Sequence, residues 1–282
     1  MAITINTNMA SLIVQKNLSS ATTSLNDAIE RMSTGYKINH AKDNAAGYSI
    51  ASSWTTKLGS LDVATQNASM GADLLKTAEE NYSLITAHLQ RVRDLTEQAA
   101  NGTYGSDSLK AIKSEITARL TEVDRIAANA EFNGIALMKG AGTAINLQVG
   151  LDATANSKIT LEAALFAAAD AKTLLGKDID AFATDCVGAK TAAAQLATID
   201  EAISTKISTR VTSIGAAQNR VDSAISALGV QSENLTSSLS TIKDADVAEE
   251  SSNYIKAQIL QQASATLLAT ANQMPSIALN LI

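Results

Sequence analysis

Apolar residues return every three or four positions near both ends of this chain, and that rhythm weakens between them. Val14, Leu18, Ala21, Leu25, Ala28 and Met32 step by fours and threes, the seam of a helix that pairs with another helix. Gly35 ends the run, as expected of a helix C-terminus. A polar link, Tyr36 to Asn44, precedes a longer run through Trp54, Leu58, Leu61, Thr65, Ala68, Ala72, Leu75, Tyr82 and Leu89. Glu79 interrupts that seam and calls for a partner. After a turn at Asn101, Gly102 and Gly105, a third helix is predicted through Leu109, Ile112, Ile116, Leu120, Val123 and Ile126. The short connection folds it back antiparallel on the second.

At Asn133-Gly134 the period changes. Ile145, Leu147 and Val149 alternate with Asn146 and Gln148, which predicts a β-hairpin or small sheet over 134–161. The Ala-rich stretch 161–194 lacks either period and is expected to be a short helix pair or an exposed loop. The strictest seam follows: Ile207, Val211, Ile214, Gln218, Val221, Ile225, Leu228, Ser232, Leu235, Leu239 and Ile242. Such a helix spans roughly 50 Å and supercoils left-handed on a neighbour. Lys243, Asp244, Ala245 and Asp246 interrupt it with charge. A last helix from Val247 carries Leu260, Ala263, Leu267, Thr270 and Met274 on one seam, and four of the last six residues are Ile or Leu. Pattern this regular at both termini predicts that something ties them down: the opposite terminus, and other copies of the chain.

The fold class is therefore mainly α: a long antiparallel helical coiled-coil rod with a small β-hairpin region, its terminal helices pairing as a coiled coil. Composition agrees. Of 282 residues, 46% are hydrophobic but only 3% aromatic, and there is one proline, which suits long unbroken helices with Ala, Leu, Ile and Val cores. A net charge of −6 argues against nucleic acid as a partner. The lone Cys186 excludes an internal disulfide and a multi-cysteine zinc site. No run of about 18 apolar residues exists to span a membrane, and no basic-then-apolar leader opens the chain. By those rules alone the protein is placed in the cytoplasm.

Candidate chemistry is sparse. His40 and His88 lack metal-ligand spacing, no HExxH occurs, and Cys186 has no electropositive setting to activate it. The expectation is no enzyme, no cofactor and no metal.

Several motifs resemble those of the bacterial flagellin family. Ile3-Thr4-Ile5-Asn6-Thr7-Asn8 opens the chain as flagellins open. Ser33-Thr34-Gly35-Tyr36-Lys37-Ile38-Asn39 and Ala41-Lys42-Asp43-Asn44-Ala45-Ala46-Gly47 look like the family's link. Leu89-Gln90-Arg91-Val92-Arg93-Asp94-Leu95, Ala100-Asn101-Gly102-Thr103 and Glu131-Phe132-Asn133-Gly134 follow in order, and Gln258 to Ala263 and Ala271 to Pro275 resemble the family's C-terminus. The resemblance covers about residues 1–150 and 195–282. His40, Asn44 and Tyr48-Ser49 depart from the usual link residues. The middle is far shorter than in large flagellins.

The resemblance implies a structural subunit that polymerises into the helical filament of the bacterial flagellum, exported without a cleaved signal and located outside the cell. It implies an inner coiled-coil domain of 1–44 plus 242–282, disordered in the monomer. A rod-like domain of 45–160 plus 195–241 and a short variable exposed segment at 161–194 complete the chain. Implied partners are other copies of the chain, an export chaperone bound through 242–282, the filament cap and hook-junction proteins, and Toll-like receptor 5 of hosts. By motif, Arg91, Leu95 and Glu115 match the receptor-contact residues; the competing expectation is that their face packs subunit on subunit. A hook–filament junction protein is the close alternative, and a coiled-coil signalling rod the distant one.

Overall fold

A computed structural model describes residues 7–140, 144–152, 154–188 and 191–279, the last six of these by backbone alone. The opening Ile3 to Asn6, the side chains of Met274 and of the apolar tail from Ile277, and residues 280–282 lie outside what is described. In chain order the elements are α1 (Met9–Thr34), α2 (Ala45–Ala100), α3 (Ser106–Asn129), β1 (Glu131–Phe132), β2 (Ile135–Ala136), β3 (Ile145–Gln148), β4 (Lys158–Leu161), α4 (Ala171–Leu175), α5 (Ile179–Cys186), α6 (Ala192–Glu201), a π-helical turn (Ala202–Ile207), α7 (Ser208–Lys243) and α8 (Val247–Leu279). The fold is mainly α, with two small antiparallel strand pairs.

These elements form two compact units. One holds the described residues up to Leu58 and from Glu233 onward; the other is Gly59–Ser232. The first turns of α2, up to Leu58, and the last turns of α7, from Glu233, group with the terminal helices.

In the terminal unit, two crossing segments are tied at the link. The Lys37 N–H donates to the Lys243 carbonyl (2.7 Å) and the Ala245 N–H to the Gly35 carbonyl (2.9 Å), closing a bridge between Tyr36 and Asp244. Lys37 Nζ donates to the Thr241 carbonyl at 2.8 Å, and Lys243 Nζ lies 4.0 Å from the Tyr36 ring centre. Gly35 can end α1 because it takes a left-handed φ of 73°. Asp43 accepts the N–H groups of His40 (2.9 Å) and Asn39 (3.1 Å), and these bonds, His40's first, hold its carboxyl below the usual range. Asn44 caps α2 by accepting the Gly47 N–H. Gly47 also leaves room for Ile38: a Cβ there would lie 2.7 Å from Ile38 Cδ1, and Ile38 is buried.

In the central unit α3 doubles back on α2. Arg91, nine residues before the end of α2, bonds Glu115, nine residues after the start of α3. The core runs through Leu75, Tyr82, Ile85, Leu89 and Val92 of α2, Ile116, Leu120 and Val123 of α3, and Ile214 and Val221 of α7. Glu79 has found its partner: Gln218, the polar position in the opposing seam, donates from Nε2 to Glu79 Oε2 at 2.8 Å.

The β region is two ladders. β1 and β2 pair around Asn133 and Gly134, whose φ angles of 49° and 79° give a turn with both central residues left-handed, the arrangement Asn-Gly favours. β3 and β4 pair Ile145 with Leu161 and Leu147 with Ile159 on one face. Helical Gly71 admits this ladder, since a Cβ there would collide with Leu147 Cδ1, and Asn67 Nδ2 donates to the Gln148 carbonyl.

Segment 161–194 is not an exposed appendage. Leu165, Phe166, Leu174, Leu175, Phe182, Ala183 and Cys186 are each at most 5% exposed and join the main core. Asp170 caps α4, Gly176 ends it with φ 76°, and α3 contributes Asp124, which accepts the Ala171 N–H at 2.7 Å. Burial raises the Tyr82 phenol, whose hydroxyl donates to the Leu165 carbonyl. Cys186 is pushed up to about 11 by burial, against a lowering hydrogen bond with Thr96.

The Glu79–Gln218 pair should fix helix register more than it adds stability. Glu79→Leu or Gln218→Leu alone should cost about 1–3 kcal/mol by stranding a half-buried polar group. The double replacement should recover most of that loss. Urea unfolding of the four proteins gives the cycle.

Candidate functional site: the paired terminal helices

α1 starts at Met9 because Asn8 caps it, accepting the Ser11 N–H at 3.0 Å. α8 starts after Asp246, which accepts the N–H groups of Ala248 and Glu249. The two helices pair antiparallel, and four polar contacts set the register. Arg31 donates to Glu250 (3.1 Å), Gln261 to Thr22 (3.2 Å), Asn8 to the Ala271 carbonyl (2.7 Å) and Ser11 to Asn272 (2.8 Å).

On α1 the seam consists of Val14, Leu18, Ala21, Leu25 and Ala28, all buried or half-buried. Met32, expected next, is 38% exposed; Arg31 turns inward instead to meet Glu250. On α8 the expected seam is displaced. Leu260, Ala263 and Leu267 are exposed, and the inward row is Glu250, Tyr254, Ala257, Gln261, Ser264, Leu268 and Ala271, with Ser251 and Gln258 half-buried beside it. The row's spacing is a strict alternation of four and three, but its side chains are mostly small or polar. Large residues of α1 therefore meet small ones of α8, which lets the helices approach closely.

The consequence is a face without a partner. Met9, Leu12, Ile13, Ile29 and Met32 of α1 and Ile255, Ile259, Leu260 and Leu267 of α8 are 38–59% exposed. Leu260 and Leu267 stand at the lip of a groove of about 700 Å³ between the helices, floored by Ala21, Ala28, Ala257 and Ser264. Its charged rim is Asp27, Arg31, Glu250 and Lys256.

The other singled-out residues fall as follows. Along the expected rod seam Leu61, Leu75, Ile207, Ile214, Val221 and Leu228 are buried, and Trp54, Leu58, Val211, Ile225 and Leu235 half-buried. Arg91 Nε donates to Glu115 at 3.0 Å on the surface, with Arg119 also near that carboxylate. Leu95 is 2% exposed, so it is a core residue of α2 and not a surface contact: at the seam's spacing it follows Leu89 and Val92 inward. His40 Nε2 lies 2.8 Å from Glu30 Oε1, and His88 sits half-buried on α2. Among the described residues no group of three His, Cys, Asp or Glu could hold a metal ion, and no helix is long and apolar enough to cross a membrane.

Glu250, only 7% exposed, depends on Arg31. Arg31→Met should destabilise the α1–α8 pair by about 1–2 kcal/mol, a figure reduced for the part-exposed guanidinium. Hydrogen exchange should show faster amide exchange in α1 and α8 while α3 is unchanged.

Comparison with known proteins supplies the remaining information. The family model for the bacterial flagellin N-terminal helical region matches residues 5–143, and that for the C-terminal helical region matches residues 196–282. Flagellin of Bacillus subtilis (strain 168) is 35% identical, over 99% of both chains. Flagellin of Xenorhabdus nematophila is 36% identical over the whole of both. The flagellar filament 30.7 kDa core protein of Treponema maltophilum is 32% identical over 95% of each. The crystal structure of Bacillus cereus flagellin is 29% identical, with a TM-score of 0.46 over 58% of this chain and 86% of that one, too loose a superposition to add weight. With both of its helical ends matched and relatives aligned over nearly the full length, this chain belongs to the bacterial flagellin family.

Proposed function

We propose that this chain is a structural subunit of the bacterial flagellar filament, outside the cell, and that neighbouring copies pack on the outward apolar faces of α1 and α8. One observation carries the second part of the reading. α8 turns mostly small and polar residues to the seam, while Ile255, Ile259, Leu260 and Leu267 of α8 and Leu12, Ile13 and Ile29 of α1 stay in water. An apolar face of that kind marks an interaction surface. Copies that add head to tail without closing build an open helical filament. The alternative of a hook–filament junction protein gains nothing from the relatives, which bear flagellin and filament names.

Before assembly the same face needs cover. An export chaperone that holds α8 by its outward stripe fits Val247, Ile255, Ile259 and Leu260, exposed along one helix. Because the inner seam of α8 is mostly small or polar, the pair buries little apolar surface alone. Neighbouring copies would then supply much of its stability.

Leu260→Ser with Leu267→Ser tests the reading. The monomer should melt as before, because both side chains are exposed, while the critical concentration for seeded filament growth should rise by about two orders of magnitude. Electron microscopy and pelleting read this; unchanged growth defeats the assignment of that face. Removal of 242–282 should abolish both filament growth and chaperone capture. For host Toll-like receptor 5, the supporting residues reduce to Arg91 and Glu115, which remain on the surface. Arg91→Ala should then weaken the signal of the monomer in a receptor reporter assay.

A further inference from the structure

The helix from α6 into α7 is continuous but not uniform. Between them lie six residues of π-helix, Ala202–Ile207, and the Ser208 N–H reaches back five residues to the Ile203 carbonyl. The positions turned inward keep a strict rhythm on either side. Before the π turn they are Ala192, Gln195 and Ile199; from its last residue onward they are Ile207, Val211, Ile214, Gln218 and Val221. Within the turn Ala202 is buried and its neighbour Ile203 is half-buried and packed on the core, so two inward positions stand side by side, and Ile199 to Ile207 spans eight residues where the rows on either side repeat every seven. The π turn thus holds one residue more than an α-helix would need between the same two faces.

Both sides are anchored. Upstream, Asp200 accepts from Arg93 Nε at 2.7 Å. Downstream, Lys206 Nζ donates to the Leu174 carbonyl at 2.6 Å, and Arg210 donates to the carbonyls of Ala168 (2.9 Å) and Ala167 (3.2 Å). Neither helix can rotate about its axis by the 100° that one residue represents without breaking these bonds and exposing its buried row. Within the turn, Ser204 Oγ donates to the Asp200 carbonyl at 2.5 Å, adding a side-chain donor where the backbone ladder changes spacing.

We propose that the π turn is a register device. It absorbs one surplus residue so that α6 keeps its packed face while α7 begins its seven-residue seam in phase, both within one unbroken helix. Slack of this kind is the helical counterpart of a stutter in a heptad repeat. Its predicted property is unusual: a residue can be removed there, and only there, at little cost, because the deletion returns the eight-residue interval from Ile199 to Ile207 to seven.

The test compares two single-residue deletions in the full chain. One removes exposed Thr205, inside the π turn; the other removes exposed Ala216, in regular α7. Thermal unfolding followed by far-ultraviolet circular dichroism should place the Thr205 deletion within about 3 °C of the parent, and the Ala216 deletion lower by about 10 °C or more. A Thr205 deletion that fails to fold, or loses half as much as the Ala216 deletion or more, overturns the proposal. So does an Ala216 deletion without effect. Neither result depends on filament growth.

Discussion

A long helix in this protein has little room for error, because each buries a narrow stripe that must advance seven residues for every two turns. A side chain one place out of phase points about 100° away from its partner. That constraint explains why the seam of α7 keeps its alternation from Ile207 to Ile242. It also gives a use to the long polar residues that face one another across a seam. Glu79 meets Gln218, Arg31 meets Glu250, and Gln261 meets Thr22. Each pair satisfies a group that would otherwise be stranded, and each penalises every register but one.

The same constraint shapes the terminal helices differently. In the central unit the large side chains face inward and the core closes on itself. In the α1–α8 pair Ala257, Ser264 and Ala271 occupy the inside of α8, and leucines and isoleucines occupy the outside. The two units thus express opposite choices with one repeat. One gathers its largest side chains into a common core, and the other keeps several of its largest on the outside.

Much of this was legible in the sequence. The helices, the turn at Asn133-Gly134, the strand period of Ile145 to Val149 and the seam of α1 up to Ala28 follow from spacing and turn chemistry. What misled was size. Leu260, Ala263 and Leu267 repeat correctly and include the large residues, so they read as the seam, while the true row carries Ala, Ser and Gln. Spacing shows that a stripe exists, but it does not show which of two stripes meets the partner within the same chain. Leu95 misled in the opposite sense: a motif placed it on a surface, and its position among Leu89, Val92 and Ala99 placed it in the core. Segment 161–194 was unreadable because its elements are too short to display a period. Phe166 and Phe182, two of three phenylalanines in the chain, were the available sign that it had a core to join.

Cys186 shows what that core does for chemistry. A polymer multiplies every surface group by its number of subunits, so one exposed thiol per copy would become a dense array of oxidisable sulfur. Here the sulfur is fully enclosed, and burial keeps it protonated well above neutral pH. Thiolate is the form that attacks disulfides and reacts with oxidants. Folding the 161–194 segment into the core therefore keeps the chain's only cysteine in its thiol form near neutral pH and away from the surface of each copy.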